Sequence, residues 1–211
     1  MFYEPAKKDH GLPIDPYRSC VVPRPIGWIS TVDGSGRINL APFSQFNNVG
    51  LDPPYILFSA GNHRTEHRCK DTVANITATG EFVYNMATFD LREAVELSGR
   101  ITESGVDEMA AAGLTPAPSR LVRPPRVAES PIQFECLLHQ TIVLPGVDRA
   151  STNHLVIGRV VGVHIADSAL DATGKVDLAR LRPLARLGYA QYASVDRVFE
   201  VALPGATIGQ N

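Results

Sequence analysis

Cysteine is scarce, and its placement excludes more than its number. Cys20, Cys69 and Cys136 are the 3 cysteines of a 211-residue chain. They lie far apart, are odd in number and form no C-x-x-C pair, so neither a zinc site nor a disulfide framework is expected. Charge of one sign is also lacking: the formal net charge is −2, with both signs interspersed, and no nucleic-acid or membrane footprint follows. No apolar run reaches transmembrane length, and Met1-Phe-Tyr-Glu-Pro-Ala-Lys-Lys carries no apolar signal core. A soluble protein in a reducing cytoplasm is therefore expected. No G-x-G-x-x-G follows a strand and no G-x-x-x-x-G-K-[ST] occurs, which argues against Rossmann and P-loop nucleotide sites. His63 and His67 are four apart but have no third ligand nearby, so no metal site is expected. No repeat of domain scale and no acid–base triad stands out.

What is present begins with one stretch, Arg24 to Asn48. It reads as strands over Ile26–Val32 and Ile38–Asn47, joined by Asp33-Gly34-Ser35-Gly36. Asp-Gly between β-rich flanks is a hairpin signal, because glycine tolerates the positive φ such turns require. Pro42 interrupts the second arm, removing a ladder N–H and pointing to an edge, bulge or break. Phe43 to Asn48 then alternates aromatic bodies with hydrogen-bonding tips. Backbone groups freed by the interruption need another partner, which a flat heteroaromatic ligand would supply; a plain surface bulge is the equal alternative reading of this arm.

The rest of the chain continues the β pattern. Residues 1–20 read as an arm over the surface or a partner subunit, 21–200 as a single domain and 201–211 as a flexible tail. Asn48–Pro54 reads as a turn, and Tyr55–Ala60 as a strand buried on both faces. Asp71 reads as the N-cap of a helix over Thr72–Thr79 that stops at Gly80. Glu81–Met86 is a strand. A helix over Leu91–Ser98 follows, with Asp90 and Glu93 as a capping box, and then a short helix over Val106–Ala112. Gln133–Leu144 and His154–Ile165 are long antiparallel strands. Many short strands with few helices give a mainly β fold, a β-barrel with helical insertions.

Ser59 ends the third strand, and Arg64, Thr65, Lys70 and Thr72 follow. Cations, hydroxyls and free N–H groups at a helix start suit a phosphate dianion, whereas Asp71 would compete for the same donors. A solvated charged loop is the default for that segment alone. Beside the polar-aromatic ledge of the first hairpin, an elongated ligand fits better, with a ring at one end and a phosphate at the other. FMN and pyridoxal phosphate are the candidates.

Arg24-Pro-Ile-Gly-Trp-Ile-Ser-Thr, Asn39-Leu-Ala-Pro-Phe-Ser, Asp52-Pro-Pro, Lys70-Asp-Thr with Asn75-Ile, and Gly80-Glu-Phe-Val-Tyr-Asn occur in this order. Together with His154-Leu-Val-Ile-Gly and Arg186-Leu-Gly-Tyr189, they resemble the flavin reductase-like family, and within it the flavoredoxin-type branch. The resemblance covers roughly residues 15–195. It implies an FMN-binding split barrel of antiparallel strands, and a homodimer with FMN near the interface. Trp28, Ser30 and Thr31 would flank the cofactor, Ala41, Phe43 and Ser44 would meet the ring edge, and Ser59, Arg64, Lys70 and Thr72 would hold the phosphate. His154 and Tyr189 would lie near the ring. The implied chemistry is hydride transfer from NADH or NADPH to flavin, with an oxygenase or other redox protein downstream and no catalytic side chain required. Two rivals follow from the same residues: an FMN electron carrier without nicotinamide activity, and a barrel that has lost its flavin.

Overall fold

The first hairpin forms around its aspartate. Asp33 Oδ1 accepts from the backbone N–H groups of Ser35 (2.8 Å) and Arg37 (3.0 Å), and positive φ falls at Gly36 (87°) rather than at Gly34. The turn joins β2 (Gly27–Val32) to β3 (Ile38–Phe43), after a two-residue β1 (Arg24–Pro25). These elements come from a computed structural model that describes residues 1–63, 68–100 and 104–201. Most of the expected tail, from residue 202 onward, lies outside the described residues.

The second arm is not one strand. β3 stops at Phe43, the chain bends at Ser44-Gln45, and β4 (Phe46–Leu51) leaves to pair with β5 (Pro54–Gly61). Packing explains the break. Phe43 packs on Phe58 with ring centroids 4.8 Å apart, and Phe46 stacks on Tyr84 at 4.8 Å, both within one core cluster. In an unbroken strand, residues three apart face opposite sides, so only a bend lets both rings enter the same core. Gln45 is tied across the bend, its carbonyl accepting from the Ser59 N–H at 2.8 Å. The expected turn over Asn48–Pro54 shrinks accordingly, because Asn48–Leu51 remains in the β4 ladder.

The strands and α-helices that follow are α1 (Asp71–Thr79), β6 (Glu81–Met86), α2 (Arg92–Ser98), α3 (Glu108–Ala111), β7 (Pro116–Ala117) and β8 (Arg126–Val127). After these come β9 (Ile132–Leu144), β10 (Asn153–Ile165), α4 (Leu178–Leu181), β11 (Leu184–Arg186) and β12 (Tyr192–Ser194). The main sheet is seven-stranded and antiparallel, in the order β3-β2-β6-β9-β10-β5-β4. Its two outer strands are consecutive in the chain, so the sheet curls on itself into a barrel split between β3 and β4. Pro42 sits on that edge, where its missing N–H breaks no interior ladder. β9 and β10 curve through two register shifts, at Ile157/Gly158 and Val160/Gly162.

Two cores lie on either side of β2. Ile29, Phe43, Phe58, Phe82, Tyr84 and Val156 fill the barrel, joined by Val73 and Ile76 of α1. Ile26, Trp28 and Leu40 face outward beneath Val95 of α2 and Met109 of α3. Burial on both faces therefore belongs to β2, every residue of which is buried, and not to β5, where Ile56, Phe58 and Ala60 alternate with half-buried neighbours. Helices cover the outer face of β2 but not that of β5.

The helix stops follow the sequence better than the starts. Gly80 closes α1 at φ 74° and donates its N–H to Ile76 at 2.8 Å, as a left-handed terminator does. Asp107 caps α3, accepting from the Ala110 N–H at 3.0 Å. Asp71 and Asp90 do not cap. Each accepts from a guanidinium instead, Asp71 from Arg68 (2.6 Å) and Asp90 from Arg182 (2.5 Å), and a charge-assisted bond outcompetes a neutral backbone donor.

Gly158 tests how tightly the barrel is filled. A Cβ there would lie 2.2 Å from Phe82 Cζ, a ring already wedged among Phe58 and Cys136. Gly158→Ala is expected to destabilise by about 1–3 kcal/mol, as overpacking does. Urea unfolding with an unchanged slope but a lower midpoint would show it, and an unchanged midpoint would mean that the barrel yields.

Candidate functional site

A cleft of about 1160 Å³ opens at one end of the barrel. Asn39, Ala41 and Pro42 of β3, with Ser44 and Gln45 of the bend, form one wall. Lys70, Asp71 and Thr72 at the start of α1 form another, with Gly61 at the end of β5 and Asn62 and His63 just after it. The C-terminal end of α2, Asn153 of β10 and the segment around Arg186, Tyr189 and Tyr192 complete it.

The start of α1 carries the most useful chemistry. Lys70 holds the cap position without a side-chain cap bond, and the backbone N–H groups of Val73 and Ala74 return to the Lys70 carbonyl at 2.9 and 3.1 Å. Asp71, the competitor expected for the remaining donors, is turned aside by Arg68 at 2.6 Å. Burial alone would raise its pKa. The hydrogen bonds from Arg68 and Ser104, with the Arg68 charge, hold it below the usual carboxylate range. Thr72 is buried and its Oγ1 accepts from Asn39 Nδ2 at 3.0 Å, fixing the hydroxyl beside the cleft. The Lys70 ammonium stands 5.9 Å from the centroid of the Phe43 ring. A nine-residue helix whose first carboxylate is neutralised, flanked by a lysine and a fixed hydroxyl, suits a phosphate group.

Of the residues expected at the site, Ala41, Ser44, Lys70, Thr72 and Tyr189 are brought together on the cleft wall. Trp28, Ser30 and Thr31 are not. Trp28 is wholly buried in the outer core with Nε1 donating to Ser98 Oγ at 2.9 Å, Ser30 Oγ donates to the Pro125 carbonyl at 2.6 Å, and Thr31 Oγ1 accepts from Asn75 at 3.1 Å. Trp28 is covered by α2, Ser30 by the segment at Pro125 and Thr31 by α1, which keeps these side chains off the cleft wall. Phe43 faces the barrel core rather than the cleft, and Ser59 lies on β5 with its N–H bound to Gln45. His154 stands one layer behind, its Nε2 3.0 Å from Oδ1 of the cleft residue Asn62. Arg64 lies outside the described residues.

Sequence reasoning missed Asn39, Glu108 and the arginines. Glu108 is buried and accepts from the Leu40 N–H at 3.0 Å, holding β3 against α3. Arg18, Arg24 and Arg186 all line the cleft, Arg24 and Arg186 as directly opposed residues of β1 and β11. Arg24 and Arg186 both stand inside the motifs read from the sequence, but nothing local signals that they meet.

Residues 18–191 match the flavin reductase like domain. An uncharacterized protein of Aquifex aeolicus (strain VF5) is 39% identical over 172 residues, covering 82% of this chain and 84% of the relative. The crystal structure of nitrilotriacetate monooxygenase component B from Bacillus cereus superposes with a TM-score of 0.85 at 30% identity, over 95% of this chain and 98% of that one. Flavoredoxin of Desulfovibrio vulgaris (Miyazaki F) shares the fold, with a TM-score of 0.71 at 22% identity, over 90% and 94% of the two chains. The chain belongs to the flavin reductase-like family and has its split-barrel fold.

Proposed function

We propose that this protein is an FMN-binding flavin reductase that takes a hydride from NADH or NADPH. The observation that carries the reading is the start of α1, where Asp71 is held by Arg68 and Lys70 and Thr72 line the cleft. The FMN phosphate would be held there, with Ala41 and Ser44 toward the ring. Bound FMN supplies the redox chemistry, which no side chain here could carry. The protein's own groups bind and orient. The α1 donors and Lys70 hold the phosphate, the Ser44-Gln45 bend presents backbone groups, and His154 acts through Asn62. Tyr189, half exposed and in a left-handed conformation at φ 53°, borders the remaining space. Backbone strain of this kind, at a non-glycine residue on a cleft wall, accords with a binding role. No catalytic side chain is assigned.

The likeness to a monooxygenase component B supports an oxygenase, or another redox protein, as the consumer of reduced flavin. A homodimer is part of the same reading. Val49 and Leu51 on edge strand β4, and Val143, Leu144 and Val147 at the β9–β10 tip, are apolar and exposed, which favours a covering partner. The reading places the protein in the cytoplasm, as one domain with an N-terminal arm. Among the described residues no helix is long and apolar enough to cross a membrane.

A visible spectrum tests the proposal. The purified protein is expected to carry or take up FMN, and its absorption to bleach rapidly on anaerobic addition of NADH or NADPH. Flavin that stays oxidised with both donors would overturn the reductase reading and leave an electron carrier. Failure to take up FMN would remove the flavin altogether.

A further inference from the structure

Arg18, Arg24 and Arg186 line the cleft away from the start of α1. Arg24 and Arg186 face each other across the β1–β11 pair, where like charges directly opposite are destabilising. Arg18 joins them from the N-terminal arm. None of the three has an ion-pair partner among the described residues, although nine other pairs form. Like charges so placed call for an anion.

Their hydrogen bonds divide the labour. Arg24 is a pin: Nη1 donates to the carbonyls of Arg18 and Val21 (2.7 Å to Val21), and Nη2 to that of Leu187 at 2.7 Å. Its Nε is buried with no hydrogen-bond partner among the described residues. The pin ties the arm to the exit of β11, and Gly188 lets them meet, since a Cβ there would lie 1.7 Å from Ser19 Oγ. Arg186 donates Nη2 to the Tyr189 carbonyl, and its guanidinium lies 4.4 Å from the centroid of the Tyr192 ring. Both contacts fix the plane of its fork. The exposed Arg18 guanidinium makes no hydrogen bond among the described residues. Burial, with the charges of Arg186 and Arg18, lowers the Arg24 pKa, as a site of uncompensated positive charge would.

We propose that Arg18 and Arg186, positioned by Arg24, form a second oxyanion subsite in the cleft, which receives the diphosphate of a dinucleotide co-substrate. The subsite takes a group other than the FMN phosphate, for which the start of α1 is already suited. Two planar forks beside a third positive charge match a dianion better than a single carboxylate. The hydride donor of the reaction proposed above carries such a diphosphate, and in naming that donor's anchor the inference rests on the reductase reading.

The test is binding of inorganic pyrophosphate to the FMN-saturated protein by calorimetry, with Arg18→Gln/Arg186→Gln alongside wild type. Arg18→Gln alone, at an exposed position, carries the comparison if the double variant does not fold. Pyrophosphate affinity is expected to fall at least tenfold, with partial recovery in Arg18→Lys/Arg186→Lys. The ratio of kcat/KM for NADH to that for 1-benzyl-1,4-dihydronicotinamide, a donor without phosphates, is expected to fall at least tenfold as well. Equal pyrophosphate affinity in wild type and variant, tighter binding of benzoate than of pyrophosphate, or an unchanged donor ratio would overturn the subsite. A protein that takes up no FMN refutes the reductase reading instead, and pyrophosphate binding without flavin still decides the subsite.

Discussion

Glu135→Ala is expected to destabilise the protein by about 3–5 kcal/mol, the range for breaking a buried charged network from one side. Glu135 is wholly buried on β9, and its carboxylate is fully engaged. Oε1 accepts from the Arg120 N–H (2.8 Å) and lies 2.5 Å from His164 Nε2 on β10, while Oε2 accepts from the N–H groups of Leu121 (2.6 Å) and Val122 (3.2 Å). One side chain therefore serves three backbone donors of the proline-rich passage and fastens it to the barrel. Alanine leaves those donors and His164 without an acceptor, and Glu135→Gln turns an amide NH₂ toward groups that themselves donate. At about 2–4 °C per kcal/mol for a chain of this size, the melting temperature is expected to drop by roughly 10 °C. A loss within a degree or two would mean that water replaces the carboxylate.

The same network has a pH signature. Burial would raise the Glu135 pKa, but hydrogen bonds from Arg120, His164 and Leu121 outweigh it, and the folded value lies below the ordinary one. A depressed folded pKa stabilises the native state above the unfolded value, about 4.3 for glutamate, and that stability is lost as pH falls through the folded pKa. The stability gap between wild type and Glu135→Ala is therefore expected to be full at neutral pH and to narrow in acid below that value. A gap that does not change from pH 7 to acid would contradict the assignment.

Lys70→Ala combined with Thr72→Val is expected to weaken FMN binding strongly. Each charge-assisted hydrogen bond lost is worth about 1.5–3 kcal/mol, or roughly ten- to more than a hundredfold in Kd. Flavin fluorescence quenching measures it directly. Ser30→Ala is the contrasting variant: Ser30 reaches Pro125 and Asn85 rather than the cleft, so stability should fall while FMN affinity holds. Wild-type affinity in the Lys70/Thr72 variant would remove the start of α1 as the phosphate site.

Local chemistry made much of this protein legible from the sequence. The Asp33 turn, the Gly80 helix stop, the β6 strand and the long β9–β10 hairpin depend on neighbouring residues and on period-two patterning, which a linear reading captures. Ordered motifs carried the family. Wherever a residue had to choose between partners, the sequence alone was not enough. Asp71 and Asp90 are good caps in isolation, but each found an arginine, and in the case of Arg182 that partner comes from far along the chain. Trp28, Ser30 and Thr31 stand in a family motif yet point into packed interior, because α2, the segment at Pro125 and α1, all distant in sequence, cover them in turn. The break at Ser44-Gln45 exists because two phenylalanines three residues apart enter one core. The meeting of Arg18, Arg24 and Arg186 required the arm, the first strand and the last segments to converge. Sequence determined most of the strands, the first turn and the family, while tertiary packing decided where the second arm breaks and which side chains face the cleft, since only closure of the barrel gives each face its neighbours.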